Sequence, residues 1–263
     1  MIERPLEAVD RRTGIARPLR AVLRYVFPDN WSFLWGEIAL YCFVVLVVTG
    51  VYLTLFFDPS YALMRYHGSY RPLAGASMSH AYASTLRLSL NVRAGLLMRQ
   101  THHWAALVFL AAIIIHLCRV FFTGAFRRPR ELIWMSGVTL LALAMLEGFI
   151  GYSLPDDLLS GMGLAIAYSV AMSIPIVGAP LAFLLWNGAF PGGTEFESRL
   201  YIAHVLLIPV ALGALIGLHL VMVAALHHTQ FRGRDRRESN VVGSPEEHPN
   251  KTMQPSGATV RSA

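Results

Sequence analysis

Four long apolar runs, separated by more polar segments, dominate the hydrophobic pattern of this chain. The runs extend from Trp35 to Phe57, from about Thr101 to Phe122, from Ile133 to Leu154 and from Leu200 to Leu226. A helix of roughly 20 apolar residues crosses about 30 Å of hydrocarbon. The pattern therefore predicts an all-α membrane protein built on four transmembrane helices.

The composition excludes an ordinary soluble protein. Apolar residues make up 55% of the 263 residues and charged residues only 14%, whereas soluble domains carry about 25% charge. The first run lies far from the N-terminus and has no small-residue cleavage site. We therefore expect it to be a membrane anchor and not a signal peptide.

The two predicted external loops, residues 58–100 and 155–199, contain shorter apolar segments. The first includes SHAYASTLRLSLNVRAGLL, which we expect to be helical along the surface. The second includes LSGMGLAIAYSVAMSIP and GAPLAFLLWNGAF, which Gly and Pro interrupt. These lengths predict short interfacial or re-entrant helices and no further spans.

Charge predicts the domain organisation and the orientation. Residues 1–34 form a basic arm, residues 35–231 the four-helix domain, and residues 232–263 a polar tail that we expect to be disordered. Arginines concentrate in the arm, the tail and the loop after the second run, although the first external loop is also basic. The positive-inside rule predicts a multi-pass protein of the plasma membrane with both termini cytoplasmic. The pI of 9.6 then requires no nucleic-acid partner.

Four histidines lie inside the second and fourth runs at matching intervals. His102 and His116 are 14 residues apart, and His204 and His219 are 15 apart. An α-helix turns about 100° and rises about 1.5 Å per residue, so each pair shares one helix face, about 21 Å and 22 Å apart. The second and fourth helices run in the same direction. His102 is therefore expected to face His204 near the outer surface, and His116 to face His219 near the inner one.

Two imidazoles that approach from opposite sides are typical axial ligands of a six-coordinate haem iron. The histidines thus predict two stacked b-type haems and an electron path across the bilayer. Cys42 and Cys118 lie in predicted spans, outside any CxxCH motif and with no disulfide expected, so c-type attachment is not predicted. His103 points about 140° away from His116 on an ideal helix and is placed outside the ligand set.

Two other interpretations of the histidines are less favoured. Single intramembrane histidines often only hydrogen-bond a neighbouring helix, but four in two matched pairs make that explanation weak. Zinc and copper need three or four ligands within a few ångströms. Histidines about 21 Å apart on one helix do not converge on one ion.

Glycines recur at the histidine spacing on the other two helices. Gly36 and Gly50 are 14 residues apart on the first, and Gly137 and Gly151 are 14 apart on the third. Because glycine allows close approach to a backbone, we predict that they give the two haems clearance. The alternative is ordinary small-residue helix packing.

Three charged residues accompany this pattern. Arg99 lies three residues before His102 and Arg119 three after His116; both are candidate partners of the anionic haem propionates, or else interface anchors. Glu147 lies inside the third run, where an acid is a functional candidate. A proton route and a hydrogen bond to a neighbouring helix are equally compatible with it.

Together these residues resemble cytochrome b of the quinol–cytochrome c reductase (cytochrome bc) complexes, over roughly residues 30–231. The resemblance rests on the four glycines, on RQTHHW with a histidine 14 residues on, on the H-x14-H of the fourth run and on GYSLPDD. SLPDDLLSG and TGAFRRPRE are most similar to the actinobacterial kind, whose members use menaquinol. The 15-residue histidine spacing is similar to the plastid-type split cytochrome b.

The resemblance implies a site and partners. His102 and His204 would ligate a low-potential outer haem, and His116 and His219 a high-potential inner one. Quinol would be oxidised at an outer pocket formed partly by residues 155–190, with one electron going to a Rieske iron–sulfur protein. A cytochrome c subunit and a homodimer are also implied. His227 and His228 are candidates for an inner quinone site, although solvated interface histidines are the favoured interpretation.

The sequence departs from full-length members of that family. They continue for three or four more helices and carry a Pro-Glu-Trp-Tyr motif, whereas this chain becomes polar after Gly233. We expect a separate subunit to supply the missing part, unless this is a truncated paralogue, and leave open whether the chain alone is an enzyme. Leu34 stands where the split type has a haem-binding cysteine, so no third haem is expected.

Two further functions are weighed against this one. The first is a di-haem membrane anchor of another oxidoreductase, such as a hydrogenase or formate dehydrogenase, which the glycine pairs and SLPDD disfavour. The second is a haem-free transport or structural membrane protein, which predicts no visible absorbance.

Overall fold

The computed structural model describes residues 33–192 and 194–226. Its helices are α1 (Leu34–Thr54), α2 (His80–Leu90), α3 (Gly95–Phe122), α4 (Glu131–Ser153), α5 (Leu158–Met172), α6 (Gly178–Trp186), α7 (Thr194–Ile202) and α8 (Ile208–Leu226), with a π-helical turn at Ala203–Leu207 between the last two. The predicted arm (1–34) and tail (232–263), with His227 and His228, lie outside the described residues except for Phe33 and Leu34. Residues 34–219 form one structural unit, and the site described below lies within it.

Within residues 33–192 and 194–226, four helices are long and apolar enough to cross a membrane by length and composition: α1, α3, α4 and the continuous helix Glu195–Leu226. Their large apolar side chains are exposed, for example Val48, Leu107, Met145 and Val210. In a membrane such surfaces face lipid, and the helical backbone satisfies its own hydrogen bonds there. The prediction of a four-span helical membrane protein is confirmed.

A short core lies between the first three spans. It comprises the buried side chains Ala39 of α1, Phe109, Ala112 and Ile113 of α3, and Ala144 of α4. Three of the five are alanines, so the helix backbones approach closely, which is the usual packing between helices in membranes. We call this closely packed contact between α1, α3 and α4 the seam.

The short apolar segments of the second loop are helical as predicted, and they cover the C-terminal end of α4. Leu164 and Ala171 of α5, Trp186 of α6 and Phe196 of α7 form a buried cluster with Ile150 of α4. The helix α5 begins where the Asp157 carboxylate accepts a hydrogen bond from the Ser160 amide at 2.8 Å, a standard N-cap. The SLPDD sequence thus starts a helix immediately after a span ends.

The structure adds a feature that the hydrophobic pattern did not predict. Strands β1 (Leu63–Arg65) and β2 (Ser77–Ser79) pair antiparallel in the first external loop, with Met64 opposite Met78. Strands of three residues are too short to produce a recognisable alternation. The same loop contains α2, whose N-cap is Ser79, as the helical segment expected there.

Candidate functional site

His102 and His204 lie opposite each other between α3 and the π-helical turn. Their ring centroids are 6.1 Å apart and their planes meet at 78°. Two metal–imidazole bonds of about 2 Å each, with about 1 Å more from each nitrogen to its ring centre, separate two ring centres by roughly 6 Å. This pair therefore has the separation that two axial ligands of one metal ion require.

Each of the four histidines lies against one of the four glycines. A β-carbon on Gly36 would be 3.2 Å from the His116 ring, and one on Gly50 would be 3.3 Å from the His102 ring. On α4, a β-carbon on Gly137 would be 3.8 Å from His219, and one on Gly151 would collide with His204. The glycines thus make room for the imidazole rings themselves. Clearance for the haem planes stays a prediction.

Hydroxyl groups contact the Nδ1 atoms of two of the imidazoles. The Thr49 hydroxyl lies 2.9 Å from Nδ1 of His102, and the Ser136 hydroxyl lies 2.8 Å from Nδ1 of His219. Each hydroxyl has one proton, which it donates to its own helix, at 2.6 Å to the Val45 carbonyl and at 2.8 Å to the Ile133 carbonyl.

Because those hydroxyl protons point to helix carbonyls, the two hydroxyl oxygens can accept a hydrogen bond from Nδ1–H of His102 and of His219. A neutral imidazole that carries its proton on Nδ1 has a free lone pair on Nε2. Fixing the tautomer through the second ring nitrogen is how proteins prepare histidines for metal ligation. The two contacts are thus compatible with the tautomer that a metal ligand at Nε2 requires.

His204 is held by an acid. Its Nδ1 lies 2.9 Å from a carboxylate oxygen of Glu147, with 18% of the His204 side chain and 16% of the Glu147 side chain exposed. Of the two interpretations of Glu147, the structure thus provides the contact to a neighbouring helix.

Thr49 and Ser136 were not identified from the sequence. Each directly precedes a glycine of the 14-residue pattern, Gly50 and Gly137. A threonine or serine directly before such a glycine was the signal that the sequence offered. A hydroxyl residue within a transmembrane span usually only bonds the preceding turn, so the pairing is not distinctive by itself.

His103 and the two arginines occupy different surroundings. His103 is exposed and its ring packs against Trp104, with centroids 6.1 Å apart. Arg99 is partly buried and donates to the Ser89 hydroxyl at 3.3 Å. Arg119 is partly buried near the end of α3. Both arginines remain candidates for the haem propionates.

Other metal chemistry finds little support. Among residues 33–192 and 194–226, no group of three or more His, Cys, Asp or Glu side chains is arranged to hold a metal ion. Cys42 and Cys118 are both free thiols. His102 and His204 form a pair, and a haem would supply the four further ligands of an iron ion between them.

Polar groups gather at the C-terminal end of α4, where Ser153 and Asp156 lie two and five residues beyond Gly151. The Tyr61 amide donates to the Glu197 carboxylate, and its hydroxyl donates to the Ser153 carbonyl at 3.2 Å. Burial raises the pKa of Tyr61. Burial also raises the pKa of Asp156, as does the neighbouring Asp157, while a hydrogen bond from Ser79 opposes the shift.

Comparison with known proteins identifies the relatives of this chain. Residues 107–258 match the family described as Cytochrome b(N-terminal)/b6/petB. The chain is similar to the cytochrome bc1 complex cytochrome b subunit of Streptomyces coelicolor, at 54% identity, and to that of Mycobacterium leprae, at 57% identity. Each match covers 92% of this chain and 44% of the relative. The chain thus spans less than half the length of these curated relatives.

A solved structure shares the fold. A chain of the hyperthermophilic respiratory Complex III superimposes with a TM-score of 0.69 at 24% identity, and the match covers 90% of this chain and 60% of that one. The family match extends over more than half of the 263 residues. This chain therefore belongs to the cytochrome b N-terminal family.

Proposed function

We propose that this chain carries electrons across the membrane through two b-type haems, as the cytochrome b of a quinol–cytochrome c reductase complex. The observation that carries the proposal is the pair of imidazoles 6.1 Å apart, supported by the hydroxyl that contacts Nδ1 of His102. Family membership and relatives named cytochrome bc1 complex cytochrome b subunit support the same assignment.

Two histidines would hold each haem. His102 and His204 would ligate the outer one, and His116 and His219 the inner one. Bound haem iron supplies one-electron redox chemistry at a potential set by its axial ligands and by their hydrogen bonds. The contacts of Thr49 and Ser136 with Nδ1 favour a free lone pair on Nε2 of their histidines, while the apolar side chains of the spans exclude water from the path between the two layers.

The arginines and glycines have supporting roles in this proposal. Arg99 and Arg119 would pair with haem propionates near the outer and inner ends of α3. Gly36, Gly50, Gly137 and Gly151 leave the space in which the histidine rings, and beside them the haem edges, lie against α1 and α4.

The wider assembly is also a proposal. We propose that quinol, in the form of menaquinol, is oxidised at the outer face near residues 155–190. One electron would pass to a Rieske iron–sulfur protein and a cytochrome c subunit, and the other to the outer haem. Complete quinol oxidation is proposed for the whole complex, in which further protein outside these 263 residues completes the outer site. We expect a homodimer in the plasma membrane with cytoplasmic termini.

Electron transfer across vesicles tests the proposal. The protein is reconstituted into liposomes loaded with ferricyanide, and dithionite is added outside. We expect ferricyanide bleaching well above that of protein-free liposomes, and its loss in His219→Ala. Bleaching equal to the protein-free background would contradict transmembrane electron transfer.

A further inference from the structure

The second ring nitrogens of the proposed ligands do not have equivalent partners. Nδ1 of His102 and Nδ1 of His219 meet neutral hydroxyls, at 2.9 Å and 2.8 Å. Nδ1 of His204 lies 2.9 Å from a carboxylate oxygen of Glu147, a close charge contact without the geometry of a hydrogen bond. Of these three contacts, the one with a carboxylate is at His204, a proposed ligand of the outer haem.

Two residues of α4 surround the His204 ring. Glu147 and Gly151 are four residues apart and so lie on the same face of the helix, one turn from each other. The acid contacts Nδ1, while Gly151 leaves the space that the ring fills. Both residues therefore act on one imidazole.

The carboxylate has few other interactions. Its second oxygen, Oε2, is buried and has no hydrogen-bond partner within residues 33–192 and 194–226. No lysine or arginine in those ranges forms an ion pair with it. The contact with His204 is thus its main polar interaction.

We propose that Glu147 is a positioning residue that lowers the reduction potential of the outer haem through His204. This inference rests on the proposed function, because it requires His204 to ligate iron. A negatively charged carboxylate beside Nδ1 makes the imidazole a more basic ligand. A more basic ligand, with an anion behind it, stabilises the oxidised iron over the reduced iron. Neutral hydroxyls at His102 and His219 have a weaker effect.

The charge of Glu147 gives the inference a direction. The outer haem would accept electrons less readily than it would without this acid, because the negative charge favours its oxidised state.

A redox titration tests the inference. The purified protein is titrated anaerobically while the haem absorbance is recorded, for the unsubstituted chain and for Glu147→Gln, which keeps an acceptor oxygen and removes the acid. We expect the equilibrium constant for reduction of the outer haem to rise about tenfold, which is about 59 mV for a one-electron couple. The inner haem should not change, and His102→Ala identifies which wave is the outer one.

Glu131→Gln is the matched control. It makes the same substitution on the same helix, at an exposed side chain that pairs with Arg128 at 3.2 Å. It lies 16 residues, or about 24 Å, from Glu147 along the axis. We expect both potentials to match those of the unsubstituted chain.

The outcomes separate the inference from the proposed function. An unsubstituted chain without two haems overturns the proposed function. Two haems with an unchanged outer potential in Glu147→Gln overturn the inference alone. If Glu147→Gln loses the outer haem, Glu147→Asp decides, since it restores the acid. Retention of the outer haem in Glu147→Asp supports the role of the carboxylate, and loss in both variants overturns it.

Discussion

The hydroxyl of Thr49 lies 2.9 Å from Nδ1 of His102 while donating its only proton to the carbonyl one turn earlier. Because the proton of the hydroxyl points to that carbonyl, its oxygen can accept a hydrogen bond from the imidazole. Thr49 on α1 therefore contacts the second ring nitrogen of a proposed ligand on α3, and that contact favours a free lone pair on Nε2.

Removing that hydroxyl should weaken the outer haem site. Thr49→Val has nearly the same shape but leaves Nδ1–H without its partner, which costs about 1–3 kcal/mol. We expect the outer haem to transfer to excess apomyoglobin about tenfold faster, with the inner haem unaffected. Thr49→Ser, which keeps the hydroxyl, is the control. Equal rates in Thr49→Val and Thr49→Ser would show that the hydrogen bond has no such role.

The glycines should differ in their tolerance of a methyl group. A β-carbon at Gly151 collides with His204, whereas one at Gly137 lies 3.8 Å from His219, an ordinary contact. We therefore expect Gly151→Ala to lose the outer haem and Gly137→Ala to keep both haems, as judged by haem content per chain.

Gly161→Ala controls for a general effect of the substitution, because a β-carbon there meets nothing within 4 Å. It should keep both haems and the unfolding temperature of the unsubstituted chain. Loss of both haems in Gly151→Ala would indicate global misfolding. Retention of the outer haem in that variant would contradict the close contact with His204.

Asp156 should make stability depend on pH. Burial first, and then Asp157, raise its pKa above the ordinary value of 3.8 in the folded protein. As the pH rises above about 4, the unfolded chain releases this proton before the folded protein does, so the free energy of unfolding falls. Above the pKa of Asp156 in the folded protein, the free energy of unfolding no longer falls on account of this group.

Asp156→Asn should remove this loss. The backbone at this position has φ of 53°, which asparagine also tolerates. We expect the variant to unfold at a higher temperature than the unsubstituted chain at neutral pH and at a similar temperature at acidic pH. Thermal unfolding in detergent across that range is the measurement. A variant less stable at neutral pH would contradict the predicted sign.

Much of the fold followed from the apolar runs, but the helix ends did not. The helix α3 begins at Gly95 and not near Thr101, and the last span begins at Glu195 and not near Leu200. The first turns GLLMRQ and EFESR contain charged residues and so lack the continuous apolar signature of a span, although they belong to the same helices. Hydropathy detects the part of a helix that fits the hydrocarbon, and a helix can extend beyond it.

The histidine spacing on the last span shows another limit. Fifteen residues rotate an ideal α-helix about 60° beyond four turns, so His204 and His219 seemed slightly offset from each other. The structure has a π-helical turn at Ala203–Leu207, which includes His204. A π turn closes over one more residue than an α turn and so absorbs the fifteenth residue. The rotation from His204 to His219 thus depends on the local hydrogen-bond pattern, which the number of intervening residues does not reveal.

The site itself was partly predictable. The intervals between His102, His116, His204 and His219 placed them on shared faces, and they lie on the second and fourth spans. The sequence pattern did not predict the polar groups of Thr49 and Ser136 that contact the rings. A contact between two spans depends on how the spans are rotated relative to each other. That rotation is set by the small residues of the seam, such as Ala112 and Ala144.

Counting haems tests the central claim most directly. The purified chain is measured by pyridine haemochrome and by its dithionite-reduced difference spectrum. We predict two b-type haems per chain, one in His102→Ala, and two in His103→Ala, whose substituted side chain is exposed beside Trp104. One haem or none in the unsubstituted chain, or loss of a haem in His103→Ala with both retained in His102→Ala, would contradict the account.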